Sequence, residues 1–163
     1  MAPSARAATS AGRQPASRAY AGLQLRIVAF ILDVMVLISF GMLFAAAAGA
    51  YLIADSRMND GNLSDRAPYV AVAIFLLYAF VFVPLYHVIL WSWRGQTVGM
   101  MSVHIRVLAG NGGRVTLRRS ALRLFGYAAS VLPLFLGLIM ALFDRKRRTL
   151  HDLLAGTVVV EEP

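Results

Sequence analysis

Residues 25–54 read LRIVAFILDVMVLISFGMLFAAAAGAYLIA. From Ile27 to Ala54 the only charged residue is Asp33. The run exceeds the roughly 20 apolar residues a helix needs to cross a bilayer. A carboxylate inside such a run costs about 3 kcal/mol on insertion scales, so it needs a partner or a task. Arg26 stands seven residues earlier. Seven helical residues make nearly two turns, so Arg26 and Asp33 share a face, about 10 Å apart along the axis.

The same solvent explains the rest of the chain. Of 163 residues, 59% are hydrophobic, and mean hydropathy is +0.66. The apolar residues come in blocks, which favours membrane spans over amphipathic core helices. Expected spans are residues 27–53 and 69–91, with a third apolar run at 124–143. Trp91 and Trp93 close the second span at the level aromatic side chains favour, and Pro84 should kink it. Gly41, Ala45 and Gly49 recur every fourth residue, a spacing that lets another helix approach closely.

The net charge of +8 is carried largely by arginine flanking the apolar runs. That placement fits anionic headgroups and orientation, and no nucleic-acid recognition motif accompanies it. The absence of cysteine excludes disulfides, thiolate metal sites and thiol catalysis. The three His lack metal-site spacing, so neither a metal nor another cofactor is expected. No nucleophile elbow, zincin motif or local carboxylate pair indicates an enzyme.

Residues 1–24 have the composition of a flexible basic tail. Residues 102–117 (SVHIRVLAGNGGRVTL) alternate, turn on glycines and resume, so a cytoplasmic β-hairpin is expected there. The closing GTVVV also reads as a strand able to join that sheet. The loop at 55–68 holds two Arg, against six in 94–123, so the N-terminus and hairpin belong on the cytoplasmic side. As a simple span, the third run would export Arg145, Lys146, Arg147 and Arg148. Bent back at Pro133 and Gly137, it would keep both basic flanks inside. That re-entrant form is the preferred expectation, and it demands shielding by an oligomer or a partner.

Three stretches in this order resemble the RDD family of bacterial membrane proteins, named for one Arg and two Asp. They are LRIVAFILD, RGQTVGMMSVHIRVLAGNGGRVTLRRSALR and RRTLHDLLAGTVVV. The resemblance covers about 25–160 and maps the family's Arg to Arg26, its first Asp to Asp33 and its second to Asp152. The sequence departs from the pattern at Val98 and Met100, where Pro and a basic residue are frequent, so no role carries over to the Gly-Gln-Thr loop. The resemblance implies a multi-pass protein of the bacterial inner membrane, with transport of ions or small solutes as a suggested role.

The expected architecture is therefore an all-α membrane protein: two transmembrane helices, a third re-entrant or spanning segment, and a small cytoplasmic sheet. Arg26, Asp33, His87 and Asp152 should converge near the cytoplasmic mouth. Two readings of that cluster stand open. In one, Asp33 and His87 form a cation or proton site tuned by Arg26, in an oligomeric transport-related protein. In the other, Arg26 pairs with Asp33 or Asp152 and fixes geometry in a non-catalytic accessory or assembly subunit of a larger membrane complex. Arg145, Lys146, Arg147 and Arg148 are candidates for anionic lipid headgroups.

Overall fold

The computed structural model describes residues 19–131, 144 and 146–162. It is mostly helical, with two long apolar helices and a small antiparallel sheet at one end. Helix α1 (Leu23–Met58) is one unbroken rod. A loop, in which the Asp55 carboxylate accepts from the Ser64 backbone N–H and hydroxyl at 2.7 Å each, turns the chain back. The return helix Ala67–Trp93 comprises α2 (Ala67–Leu77), a π-helical turn (Tyr78–Phe82) and α3 (Val83–Trp93). Pro84 accounts for the middle piece. It has no N–H to donate, and its ring crowds the carbonyl four residues back, so the helix widens by one residue ahead of it.

Among the described residues these two helices are long and apolar enough to cross a membrane. Their surfaces agree with an apolar solvent. In α1 only Arg26, Ala29 and Asp33 are buried, all in its first three turns, while Met35, Ile38, Met42 and Leu43 are more than half exposed. The third apolar run is described only through Val131, where α5 (Leu117–Val131) ends. The expected bend at Pro133 and Gly137, together with Arg145, lies outside the described residues.

The buried core sits where α1 begins and α3 ends. Ala21, Ala29, Trp91, Met100, Ile105, Val107, Val115 and Val159 form one cluster, with Leu25, Leu124 and Tyr127 packed against it. A short helix α4 (Val98–Ser102) leads into β1 (Ile105–Ala109). Helix α6 (Leu150–Ala155) ends on Gly156 in the left-handed region (φ 60°) and feeds β2 (Thr157–Glu161).

The expected hairpin at 102–117 does not form. β1 pairs antiparallel with β2, with Val107 opposite Val159. The glycine turn is present, but residues 114–116 leave it without pairing, and α5 starts at Leu117. Both edges of β1 are occupied: β2 takes one, and the Val107 N–H donates to the Gly95 carbonyl (2.8 Å) on the other. The strand Thr-Val-Val-Val, buried throughout, is the better partner for a sheet inside a core. The end of the expected tail is likewise structured. Tyr20 bridges Val160, and the Ala21 N–H donates to the Val159 carbonyl at 2.9 Å, filling the second edge of β2.

The small-residue face of α1 is used in part. A Cβ on Gly41 would lie 3.3 Å from the Tyr78 ring, whose hydroxyl donates to the Leu37 carbonyl (2.5 Å). Gly41 thus admits the chain's own second helix. Ala45 is exposed, and a Cβ on Gly49 would meet nothing within 4 Å. On α5, by contrast, a Cβ on Gly126 would lie 2.8 Å from the His151 Cα. Gly126→Ala should therefore lower stability by about 1–3 kcal/mol through overpacking. Gly49→Ala should be neutral or stabilising by up to about 1 kcal/mol through helix propensity. Thermal unfolding of both variants in one detergent checks the pair. Equal effects would contradict the packing described.

Candidate functional site

Two carboxylates organise the sheet-bearing end, each in its own web. Asp152 lies in the first turn of α6, which opens with a capping box. The Asp152 Oδ2 accepts from the Thr149 backbone N–H (3.2 Å) and from its hydroxyl (2.9 Å). A Thr-x-x-acid spacing favours this local fold, because it satisfies N–H groups that a helix start leaves without partners. The remaining acceptor positions go to two arginines. Arg26 of α1 donates through Nη1 to Oδ2 at 2.5 Å, and Arg123 of α5 donates through Nη1 to Oδ1. Asp152 has no solvent exposure, and the side chains of Arg26 and Arg123 are 7% and 1% exposed.

Two guanidiniums against one carboxylate leave a buried surplus of positive charge. The surroundings spread it. Arg26 Nη2 donates to the Arg147 carbonyl (2.8 Å) and Nε to the Ala21 carbonyl (3.3 Å). Arg147 adopts a left-handed backbone (φ 50°), a conformation costly for a side-chain-bearing residue, and its carbonyl is the one that reaches Arg26. Arg123 Nη1 also donates to the Thr157 hydroxyl (3.1 Å), and its guanidinium lies over the Trp91 ring, 5.0 Å from the centroid. Burial works to raise the Asp152 pKa, but the Arg123 and Arg26 charges outweigh it and hold the carboxyl below its usual range.

His151, next in line, is buried and packs on the Tyr127 ring at 4.3 Å between centroids. Burial first, then the Arg123 charge, pushes its pKa down to about 3, so it is a neutral ring near pH 7.

Asp33 stands apart from this ion triad. Its Oδ1 accepts from the Tyr86 hydroxyl (2.6 Å) and the Gly99 N–H (2.8 Å), and its Oδ2 accepts from the Thr97 hydroxyl (2.5 Å). Tyr86 in turn accepts from the Val98 N–H (3.2 Å). The carboxylate of α1 is thereby fastened to α3 and to the start of α4. A Cβ on Gly99 would fall 2.0 Å from the Ala29 carbonyl oxygen, so glycine is required for α4 to approach α1 this closely. The Gly-Gln-Thr loop, left without a role by the sequence, is the holder of Asp33. The contacts run through Thr97 and two backbone N–H groups, which the side chains at Val98 and Met100 do not supply.

Of the four residues expected to converge, Arg26 and Asp152 meet directly, and Asp33 and His87 do not. His87 Nδ1 faces the Val83 carbonyl of its own helix (3.0 Å), and its ring sits among Tyr86, Trp91 and Tyr127. Tyr86, one residue earlier, takes the place beside Asp33. Arg26 turns away from Asp33 because side chains on a helix slant toward its N-terminus, which here points into the sheet.

The basic cluster is also largely engaged. Arg148 forms a two-pronged ion pair with Asp144, both contacts 2.9 Å, and Arg147 reaches the Tyr20 carbonyl (3.5 Å), while Lys146 is exposed. Sequence reasoning missed Tyr86, Thr97, Gly99 and Arg123 as site residues. Among the described residues, no group of three His, Asp or Glu is arranged to hold a metal ion.

The comparisons with known proteins fit this geometry. The chain matches the RDD family over residues 20–156 and belongs to that family. The match runs from the strand-bridging Tyr20 to Gly156 and so includes Arg26, Asp33 and Asp152. It is thus an RDD-family membrane-protein domain with two candidate spans. It is also 30% identical, over 77 residues, to an uncharacterized protein of Rickettsia prowazekii (strain Madrid E). The aligned part is 47% of this chain and 42% of that protein, so the match spans less than half of the relative's length. No solved structure matches.

The burial of neutral His151 has a pH consequence. Its folded pKa (about 3) lies below the ordinary 6.5, so the unfolded chain binds the extra proton first. This share of stability is complete above pH 6.5 and is lost as pH falls toward 3. The slope approaches about 1.4 kcal/mol per pH unit between those limits. Thermal unfolding in detergent should weaken from pH 7 to pH 4.5, and His151→Gln should flatten that slope. Rising stability on acidification would contradict the assignment.

Proposed function

We propose that this chain is a non-catalytic membrane component whose buried charges fix its shape, serving as an accessory or assembly subunit of a larger membrane complex. The observation that carries this reading is that the chain itself supplies donors to both oxygens of each buried carboxylate. Asp33 has three donors and Asp152 has two guanidiniums and a capped threonine, all from within the chain. An ion or proton site needs carboxylate oxygens that exchange partners with a solute. Here exchange would first break hydrogen bonds that hold α1, α3 and α4 together.

The exposed apolar lengths of α1 and α2 support the assembly role, since they present surface to lipid or to other helices. The arginine-rich sheet end supports a cytoplasmic N-terminus in a bacterial inner membrane.

The alternative reading is an oligomeric, transport-related protein with Asp33 at the ion or solute site. Reconstitution separates the two. Proteoliposomes bearing the purified chain should leak protons, Na⁺ and K⁺ at the rate of empty liposomes, and Asp33→Asn should leave that rate unchanged. The same variant should cost about 1–3 kcal/mol of stability, because an amide presents a donor where Thr97 now donates. Flux above background in the wild type, abolished in folded Asp33→Asn, would establish the transport reading instead.

A further inference from the structure

The chain has a second concentration of charge that the carboxylate webs do not use. Where the glycine turn meets the start of α5, an open groove of about 560 Å³ is lined by Arg114, Arg118, Arg119, Asn111 and Leu122. No acidic side chain lines it. Among the described residues none of these three arginine side chains forms an ion pair, whereas Arg26, Arg106, Arg123 and Arg148 all do. Arg114 and Arg118 are exposed, and Arg119 is half-buried.

The groove continues into an apolar strip. Arg118, Leu122 and Phe125 fall at i, i+4 and i+7 of α5, one face of the helix. Leu122 and Phe125 are 42% and 74% exposed, and Leu154 of α6 is 56% exposed. The arginines also stand just ahead of the apolar run that begins at Leu124, Arg118 and Arg119 within two turns of it on the same helix. Cationic groups at one end of an apolar strip, on the threshold of an apolar segment, match the order of parts in a phospholipid: an anionic headgroup, then acyl chains.

We propose that Arg114, Arg118 and Arg119 form a binding site for the phosphate of an anionic phospholipid, whose chain lies along Leu122, Phe125 and Leu154. This rests on the membrane reading above. The guanidinium geometry favours a phosphate diester, which two arginines can grip through paired N–H donors. The site is distinct from the 144–148 cluster, where Arg148 is already neutralised by Asp144.

The test uses the full chain in mild detergent, with native mass spectrometry and two lipids of matched chains, phosphatidylglycerol and phosphatidylcholine. Phosphatidylglycerol should be retained roughly tenfold better, since each basic residue near an anionic surface contributes measurably. Arg118→Gln with Arg119→Gln should reduce retention to the phosphatidylcholine level. Arg57→Gln, exposed at the far end of α1 and outside the groove, should leave it unchanged. If that double Gln variant unfolds more easily without lipid, Arg114→Gln with Arg118→Gln, both fully on the surface, takes its place and should likewise reduce retention to the phosphatidylcholine level. Equal retention of the two lipids, or undiminished retention in the Gln variant, overturns the proposal. Displacement of the lipid by millimolar inorganic phosphate overturns the lipid source in favour of a soluble phosphate ligand. Recovery of a monodisperse chain without any detergent would be a different failure, that of the membrane reading itself.

Discussion

A single carboxylate between two guanidiniums holds the sheet-bearing end together. Asp152 draws Arg26 from the start of α1 and Arg123 from α5, while capping α6 with its own side chain. Those contacts join segments 126 and 29 residues apart in sequence. Buried ion pairs are poor stabilisers in net terms, since desolvation cancels much of their attraction. They are strict about geometry, however, because removing one member strands a charge in an apolar interior. The sheet, the helix starts and the orientation of α1 all inherit that strictness.

The second web depends on the first. With α1 fixed at Arg26, its next two turns bring Asp33 opposite Tyr86 and the backbone of α4. Gly99 permits the approach, and the Thr97 hydroxyl completes it. The rings of His87, Trp91 and Tyr127 fill the space between the webs, with Arg123 lying over Trp91. Beyond Asp33, α1 buries no further residue, and it carries no charge again until Asp55 in its last turn. The molecule thus divides into a polar-stitched base and a pair of bare apolar rods, which is the division a membrane component needs.

Much of this was legible in the sequence. The two long apolar helices, the family resemblance and the sheet-joining habit of Thr-Val-Val-Val follow from block hydropathy, residue order and β-branching. Arg26 and Asp33 also stand out, from the cost of charge near lipid, and Asp152 stands out through the family resemblance. Their pairing does not. A spacing of seven places Arg26 and Asp33 on one face, but the slant of helical side chains sends Arg26 the other way. Arg123 was hidden among six arginines that topology alone explained. The hairpin was misread because a glycine turn fixes local chain reversal, not which strand wins the adjacent edge. Gly99 gives no local signal, since its need arises from a carbonyl some 70 residues earlier in the chain. Thr149 with Asp152 did carry a signal, the spacing of a capping box.

The base of this protein is held as described only if Arg26 and Asp152 act as one unit. A double-mutant cycle measures this directly: Arg26→Gln, Asp152→Asn and the combined variant, each unfolded thermally in the same detergent. Partners in one buried pair should show a coupling of about 2 kcal/mol or more, with the double variant much less damaged than the two single losses summed. Additivity within about 0.5 kcal/mol would mean that the two residues act independently, and the ion triad would not be what holds the base of this protein together.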